Sequence, residues 1–496
     1  EQAFGPDSSF RRELVNGVPS LQPLDPRTVT SWRGFVHTEL SRFFHYDNAR
    51  SIPGLDGLKT SQRKIIQAVL DQASLPLPGG KSRGPKVAQL VGRVSERMAY
   101  HHGEASLEKA IVNLAQDFPG SNNLPLLYPD GQFGTEAQGG KDHAASRYIF
   151  TTVQPYLRAL FPETTVLDYL EEDGSRIEPR MFFPVVPLSL VNGVKAGIGS
   201  GWSTVLPPHK TMDVVRWLRA KLDMNETISV PMPSFEDFQR GSVNGGRVEF
   251  SGTQAEEKEG VRVHSLAPGV WTDKFVSDFS EECEVTKSIN EEGAVEFYLD
   301  PVEEDSGASS SSSSSSSSGG SKKRKRGTLL ERVAKKNKTS ISLEQMYLFA
   351  PGSGEELELR HFKTADDIMI AYVEHGRIVY AKSHAALVAG LQKKYDDLLT
   401  KRNYISHFVE QRVRYERGSL NVPHLVSLMR GNDERTQELL RSVTDLQKTE
   451  EKIRSLEGNM EEARAELTEW QAKDWRFMWL HDIDRFVSTL PEKYTE

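Results

Sequence analysis

The chain has 496 residues, 37% apolar and 27% charged, with 62 Lys+Arg against 70 Asp+Glu and a mean hydropathy of -0.51. That length exceeds one hydrophobic core and predicts about three or four domains, and with no run of about 18 apolar residues it predicts no transmembrane helix and no membrane partner. The single cysteine, Cys283, excludes a disulfide scaffold and a multi-cysteine zinc site and fits a reducing compartment.

The chain opens on Glu1 with no apolar leader behind it, which predicts a product processed or cut from a longer chain. The net charge of -8 hides an asymmetry. Ser31 to Ala105 holds 11 Lys+Arg against 6 Asp+Glu, whereas Glu281 to Asp305 holds ten acids and one lysine. Binding follows the local field, so the basic segment is the candidate nucleic-acid surface. Within it Val87, Leu90, Val91, Val94 and Met98 fall on one face of a helix, and Leu107, Ala110, Ile111 and Leu114 mark a second. The break at Tyr100-His101-His102-Gly103 between them predicts a helix-turn-helix unit. From Gly245 to Glu304, short pieces such as Val248-Glu249-Phe250 and Ala294 to Leu299 read as strands of a mixed α/β domain. The unbroken serines Ser309 to Ser318 have no apolar side chain to offset ordering entropy and predict a disordered insertion. Lys322-Lys323-Arg324-Lys325-Arg326 then reads as a solvated charge run, a nuclear import signal or a loose DNA-backbone contact. Beyond Thr364 helical periodicity dominates. Leu391, Leu398 and Ile405 are seven apart, as are Leu439, Leu446, Ile453, Met460 and Leu467. The intervening column, read as Val443, Glu450, Glu457 and Arg464, is mixed, so the pattern predicts a two-helix antiparallel arm with its turn in Gly418 to Asn432. The aromatic run Trp475 to Leu480 predicts a packing surface, with a second copy as its candidate partner.

Several short motifs are excluded by spacing. His101-His102-Gly103-Glu104 lacks HExxH spacing, Gly197 to Gly201 is not GxGxxG, and neither GxxxxGK[ST] nor GxSxG occurs. No metal ligand set is predicted. What remains is a series of blocks: Arg50-Ser51-Ile52-Pro53 with Asp56-Gly57-Leu58-Lys59 and Gln62-Arg63-Lys64; Tyr100 to Glu104; Asn113 to Gln116; Gly120 to Asn123; Gly131 to Gly134; Gly139 to Asp142; Ala145-Ser146-Arg147-Tyr148-Ile149-Phe150; and Gly197 to Ser203. In this order they resemble the DNA breakage-reunion region of type II DNA topoisomerases, the eukaryotic fused form above all. The resemblance is close from Phe10 to Pro208 and weaker beyond.

The resemblance implies an α+β, multidomain fold. Residues 1–30 would be a linker from an upstream domain, 31–185 a winged-helix domain, 186–363 a tower with the insertion 306–327, and 364–496 long antiparallel coiled-coil arms and a C-terminal gate. Tyr148 matches the tyrosine that attacks a DNA phosphodiester and becomes joined to a 5′-phosphate. A phenol suits this work as nucleophile and as leaving group, although a free phenol with a pKa near 10 costs about 4 kcal/mol to ionise at neutral pH. Arg147 matches the arginine that holds the scissile phosphate. His102 matches a histidine near it. Arg50, Lys59, Arg63 and Lys64 match DNA-backbone contacts, and Ile198 matches an apolar wedge that bends the duplex. Here three residues, Val194-Lys195-Ala196, follow Asn192-Gly193 where the family pattern has two. No Glu-Gly-Asp-Ser or Asp-x-Asp-Gly block is found, so the Mg2+ and ATP of the complete enzyme are expected to bind outside this chain. The expected partners are double-stranded DNA and a second copy in a homodimer, and the expected compartment is the nucleus. The competing readings are a non-catalytic architectural DNA-bending protein and a helical scaffold; the Arg147-Tyr148 pair favours the enzyme.

Overall fold

The computed structural model describes residues 3–495 apart from 17–30, 73–74, 81, 163–165, 225–227, 290–294, 303–327, 353–355, 417–442 and 444–448. The serine tract, the basic run after it, the expected arm turn, and Leu439 and Leu446 lie outside the described residues.

Helix α1 is Ser9–Asn16; α2, Trp32–Phe35, passes through a π turn at Val36–Leu40 into α3, Ser41–Ser51. Three helices follow: α4 (Thr60–Leu70), α5 (Val87–Arg97) and α6 (Glu104–Ala115). The first two lack a Ser, Thr or Asp cap. Instead Gln62 and Gln89 reach back to accept the N–H groups of Lys59 and Lys86 at 2.9 and 3.0 Å, which satisfies a backbone donor at each helix start. The apolar positions read from the sequence, Val87 to Met98 and Leu107, Ile111 and Leu114, are buried with Ile65, Ile66 and Val69 of α4, while Ala110 is half-buried. The antiparallel hairpin of β1 (Leu127–Asp130) and β2 (Phe150–Val153) follows, with Leu127, β1's buried residue, beside α6.

After the short helix α7 (Leu157–Leu160) come hairpin β3–β4 (Tyr169–Glu172, Ser175–Pro179), helix α8 (Leu188–Val191) and hairpin β5–β6 (Val194–Gly199, Trp202–Leu206). The register of β5–β6 shifts between Val194 and Gly197, so the extra residue of Val194-Lys195-Ala196 is taken up as a bulge. Helix α9 is Thr211–Leu222. The strand segments expected between Gly245 and Glu304 form two sheets. One has the order β13-β8-β7 (Lys338–Ser342, Arg247–Ser251, Ser242–Asn244). The other has the order β11-β12-β10-β9 (Cys283–Ile289, Val295–Pro301, Val261–Val263, Gln254–Glu256). Phe275 and Phe279 of α10 (Thr272–Phe279) and Val333 of α11 (Leu329–Lys336) cover the second sheet and bury Phe297 and Leu299. Strands β14 (Tyr347–Pro351) and β15 (Leu357–His361) pair, and Phe349 exchanges backbone hydrogen bonds with Pro53 and Leu55. The Arg50 to Pro53 segment is thereby fixed from behind.

The chain divides into two compact units, Glu1–His375 with Ile483–Glu496, and Gly376–Asp482. No division separates 31–185 from 186–363, and the last residues return to the first unit, where Phe486 and Tyr494 pack edge-on against Tyr156. The second unit holds most of α12 (Ala365–Glu416), α13 (Glu450–Gln471) and the start of α14 (Trp475–Ser488). His384 meets the Trp470 carbonyl, Lys394 meets Glu466 and Arg402 meets Glu457, so α12 and α13 run antiparallel. The buried column of α13 corrects the sequence reading. Leu456 and Ala463 stand three residues after Ile453 and Met460 and are buried, whereas Glu457, four after Ile453, faces outward to Arg402. The seam is therefore apolar in both columns. Within the aromatic run, Trp479 stacks on Tyr380 at 5.0 Å and is fully buried, so it offers no surface to a second copy, whereas Phe477 is exposed.

Candidate active site and nucleic-acid interface

Tyr148 lies on the turn that enters β2. Its N–H donates to the Ala145 carbonyl at 2.9 Å, and its side chain is 65% exposed. The Arg147 guanidinium sits 5.0 Å from its ring centre. A cation over the ring face is attracted by the quadrupole and also stands ready for an anion brought to the phenol. The turn is held on several sides. Val87 N–H of α5 donates to the Ile149 carbonyl at 3.0 Å, and Thr151 N–H donates to Pro85. Ser146 Oγ donates to Glu108 of α6 at 2.6 Å. Arg83 grips Asp130 with both nitrogens at 2.5 Å and lies 4.1 Å over the Phe150 ring.

The glycine blocks build the loop that precedes this turn. Gln116 Nε2 donates to the carbonyls of Phe133 and Gly140 at 2.9 and 3.1 Å. Gly140 has a φ of +79°, and a Cβ there would lie 2.2 Å from that same amide, so only glycine fits. Asp142 accepts from the Thr135 N–H and hydroxyl, and Asn123 donates to His209 and Ser234 carbonyls at 2.8 and 2.9 Å. The blocks at Gln116, Gly131 to Gly134 and Gly139 to Asp142 are thus cross-linked into the loop that leads to Tyr148.

His102 lies in a separate cleft of about 500 Å³ shared with Tyr46, Arg50, Lys59 and Lys64. Tyr148 is not among the residues lining that cleft. Tyr46 OH is 2.9 Å from His102 Nε2, and Arg50 Nη1 is 3.4 Å away. Arg50 Nη1 also stands 3.5 Å from Nδ1, and since arginine can only donate, it favours the neutral ring, which keeps one nitrogen as an acceptor. Desolvation and then the Arg50 cation hold the imidazole below its ordinary pKa and keep it neutral at neutral pH. Lys59 is half-buried and donates to the Ala196 carbonyl at 2.9 Å; burial lowers its pKa.

Two expected DNA contacts are corrected. Arg63 is 5% exposed and holds Asp56 through two bonds of 2.7 and 2.9 Å. Lys64 is 8% exposed and bonded to Glu178 and the Met98 carbonyl. Both are cations committed to buried acids, not a free face. Asp56 also accepts from Leu58 and Phe182 N–H groups, so this pair organises the Asp56-Gly57-Leu58 turn. Arg50 is the exposed cation of that block. Ile198 is 74% exposed on β5, opposite Ser203 near the tip of its hairpin. Arg83 reads in the sequence as one of the basic neighbours of the helix pair, but its pairing with Asp130 and the role of Glu108 are missed there, because the partners lie 47 and 38 residues away and no spacing rule connects them.

A family model for the A-type subunit of DNA gyrase/topoisomerase IV matches residues 50–484. The chain is 34% identical over 415 residues to "DNA topoisomerase 2" of Drosophila melanogaster, covering 82% of this chain and 27% of that protein. It is 44% identical over 234 residues to "DNA topoisomerase 2-alpha" of Gallus gallus, covering 46% and 14%. The chain thus spans about a quarter or less of these relatives. Among solved structures, the Plasmodium falciparum topoisomerase II DNA-binding, cleavage and re-ligation domain matches with a TM-score of 0.76 and 27% identity, over 98% of this chain and 68% of that one. With the family model spanning most of its length, the chain belongs to the DNA gyrase/topoisomerase IV A-type family.

Proposed function

We propose that this chain is the DNA-breaking core of a type II DNA topoisomerase and that Tyr148 is its nucleophile. The observation that carries the reading is the exposed Tyr148 phenol beside the Arg147 guanidinium on a turn fixed by α5, α6 and β1. The phenol oxygen attacks a backbone phosphorus. The phenol gives up its proton to solvent as the Tyr148–phosphorus bond forms at the 5′ end, the bond to the 3′ oxygen breaks, and that oxygen takes a proton from solvent and leaves as a 3′-hydroxyl. Arg147 offsets charge on the non-bridging phosphate oxygens. Religation is the same exchange in reverse, which a phenol permits because it is a competent leaving group. Among the described residues no group of three or more His, Cys, Asp or Glu side chains converges to hold a metal.

The remaining parts follow from this reading. Helices α4 to α6 with hairpin β1–β2 form the winged-helix domain, and α12 with α13 form the coiled-coil arm. Arg50, Lys59 and His102 lie along the DNA backbone, while Arg63 and Lys64 support them from within. Ile198 is the bending wedge. Two copies act on the two strands of one duplex, since a double-strand break needs two tyrosines related by the DNA dyad. The complete enzyme uses ATP and Mg2+, and Lys322 to Arg326 direct it to the nucleus. The reading is tested by Tyr148→Phe in the complete enzyme. Covalent protein–DNA adduct disappears while DNA affinity stays near wild type; adduct that persists removes Tyr148 as nucleophile, and wild-type protein that bends DNA without ever forming adduct supports the architectural alternative.

A further inference from the structure

The tip of the Ile198 hairpin does not stand free. Ser200 Oγ donates to Asp47 Oδ2 at 2.8 Å, and Asn48 Nδ2 donates to the Ser200 carbonyl at 3.2 Å. Gly199 lies so close to the Asn48 amide that a Cβ would stand 2.2 Å from it. On the other side Arg12 of α1 donates from Nε to the Gly201 carbonyl at 2.7 Å and covers the Trp202 ring at 4.7 Å. Helix α1 is itself tied to α3 by Ser41 Oγ, which donates to the Leu14 carbonyl. The second oxygen of Asp47 accepts from Ser51 Oγ at 3.4 Å and stands 3.8 Å from Arg50, whose guanidinium reaches His102. One carboxylate therefore touches both the hairpin tip and the cation of the His102 cleft.

We propose that Asp47 is a positioning residue that seats the Ile198 hairpin in register with the Arg50–His102 pair, with Arg12 holding the hairpin's far side. This rests on the reading of Ile198 as the wedge. A wedge held in place before DNA arrives loses no loop entropy on insertion, and the duplex is driven to bend instead. Asp47 sets where the wedge stands relative to the phosphates that Arg50 engages.

Energy transfer between dyes at the ends of a short duplex, at saturating protein, reads the bent-to-straight ratio directly. Ser200→Ala lowers that ratio about three- to tenfold, the loss of one hydrogen bond, and Asp47→Ala, which also gives up the Ser51 and Arg50 contacts, lowers it at least as far. The double variant falls no further than Asp47→Ala alone, because both remove the same bond. Asp47→Asn, which still accepts from Ser200, bends within about twofold of wild type. The salt dependence of binding is unchanged in Ser200→Ala, since no phosphate-contacting cation is lost. Wild-type bending in both single variants, or a double variant that loses the product of the two, overturns the proposal. Ser200→Ala removes only one hydroxyl and keeps the test decisive if Asp47→Ala folds poorly. An Ile198→Ala chain that bends like wild type overturns the wedge reading instead, and the Ser200 and Asp47 arms still decide whether the hairpin's seating controls the bend.

Discussion

Arg50 and Arg63 are thirteen positions apart in one motif, yet the fold gives them opposite work. Arg63→Ala leaves Asp56 buried with its remaining N–H partners and no cation, and breaking such a pair costs about 3–5 kcal/mol. Urea denaturation should show that loss. Arg50→Ala should leave stability near wild type but flatten the salt dependence of DNA binding by about one unit of slope. If Arg63→Ala instead left stability unchanged, the buried assignment would be wrong. A motif reports which residue types recur together. It does not report which basic residue has an acid waiting for it, and Glu178 lies 114 residues from Lys64. That is why Arg63 and Lys64 read in the sequence as an exposed basic face, although the fold buries both.

At the scale of elements, the helices of the N-terminal unit are legible because their apolar stripes are buried as spaced, Val87 to Met98 above all. The arm is half legible. Its seven-residue repeat is plain in the sequence, but its second column lies three residues on from the first, at Leu456 and Ala463, and not four on, at Glu457. Leu456→Ala should destabilise the pairing of α13 with α12 by about 2–4 kcal/mol, since Leu456 packs with Ile405 and Val443. Hydrogen exchange around Ile405 should quicken, with α4 to α6 unaffected; unchanged exchange would place the arm's core elsewhere. The start of α9 carries a pH-dependent pair that no pattern in the sequence reveals. His209 is fully buried, donates from Nδ1 to the Leu190 carbonyl, and has its pKa pushed down to about 4 by desolvation. Glu236, bonded to the Thr211 N–H and hydroxyl, is pushed up to about 7 by burial. The signs oppose. Neutral His209 contributes stability that is full above about 6.5 and is lost as pH falls towards 4. Glu236 takes up a proton in the fold that the unfolded chain releases, so its contribution is lost as pH rises from about 4.5 to 7. Wild type should therefore be flat between pH 5 and 6.5, and Glu236→Gln should expose the His209 limb as a steep acid loss. Equal pH profiles for the two proteins in thermal melts would contradict this.

For the molecule as a whole, the frame around Tyr148 joins segments from Arg83 to Ile149, and the hairpin of Ile198 is seated by α1 and α3. The Tyr148 turn and the Ile198 hairpin thus belong to one unit, Glu1–His375 with Ile483–Glu496. In the proposed reaction the Tyr148 phenol oxygen replaces the 3′ oxygen on one DNA phosphorus. The direct test is recovery of DNA-linked peptide from the complete enzyme, denatured during turnover on 5′- and 3′-labelled duplex in magnesium buffer. The account predicts one phosphorylated tyrosine, Tyr148, joined to the 5′ end of each strand, with a free 3′-hydroxyl on the other side of each break. A linkage at another residue, or at a 3′ phosphate, would contradict it.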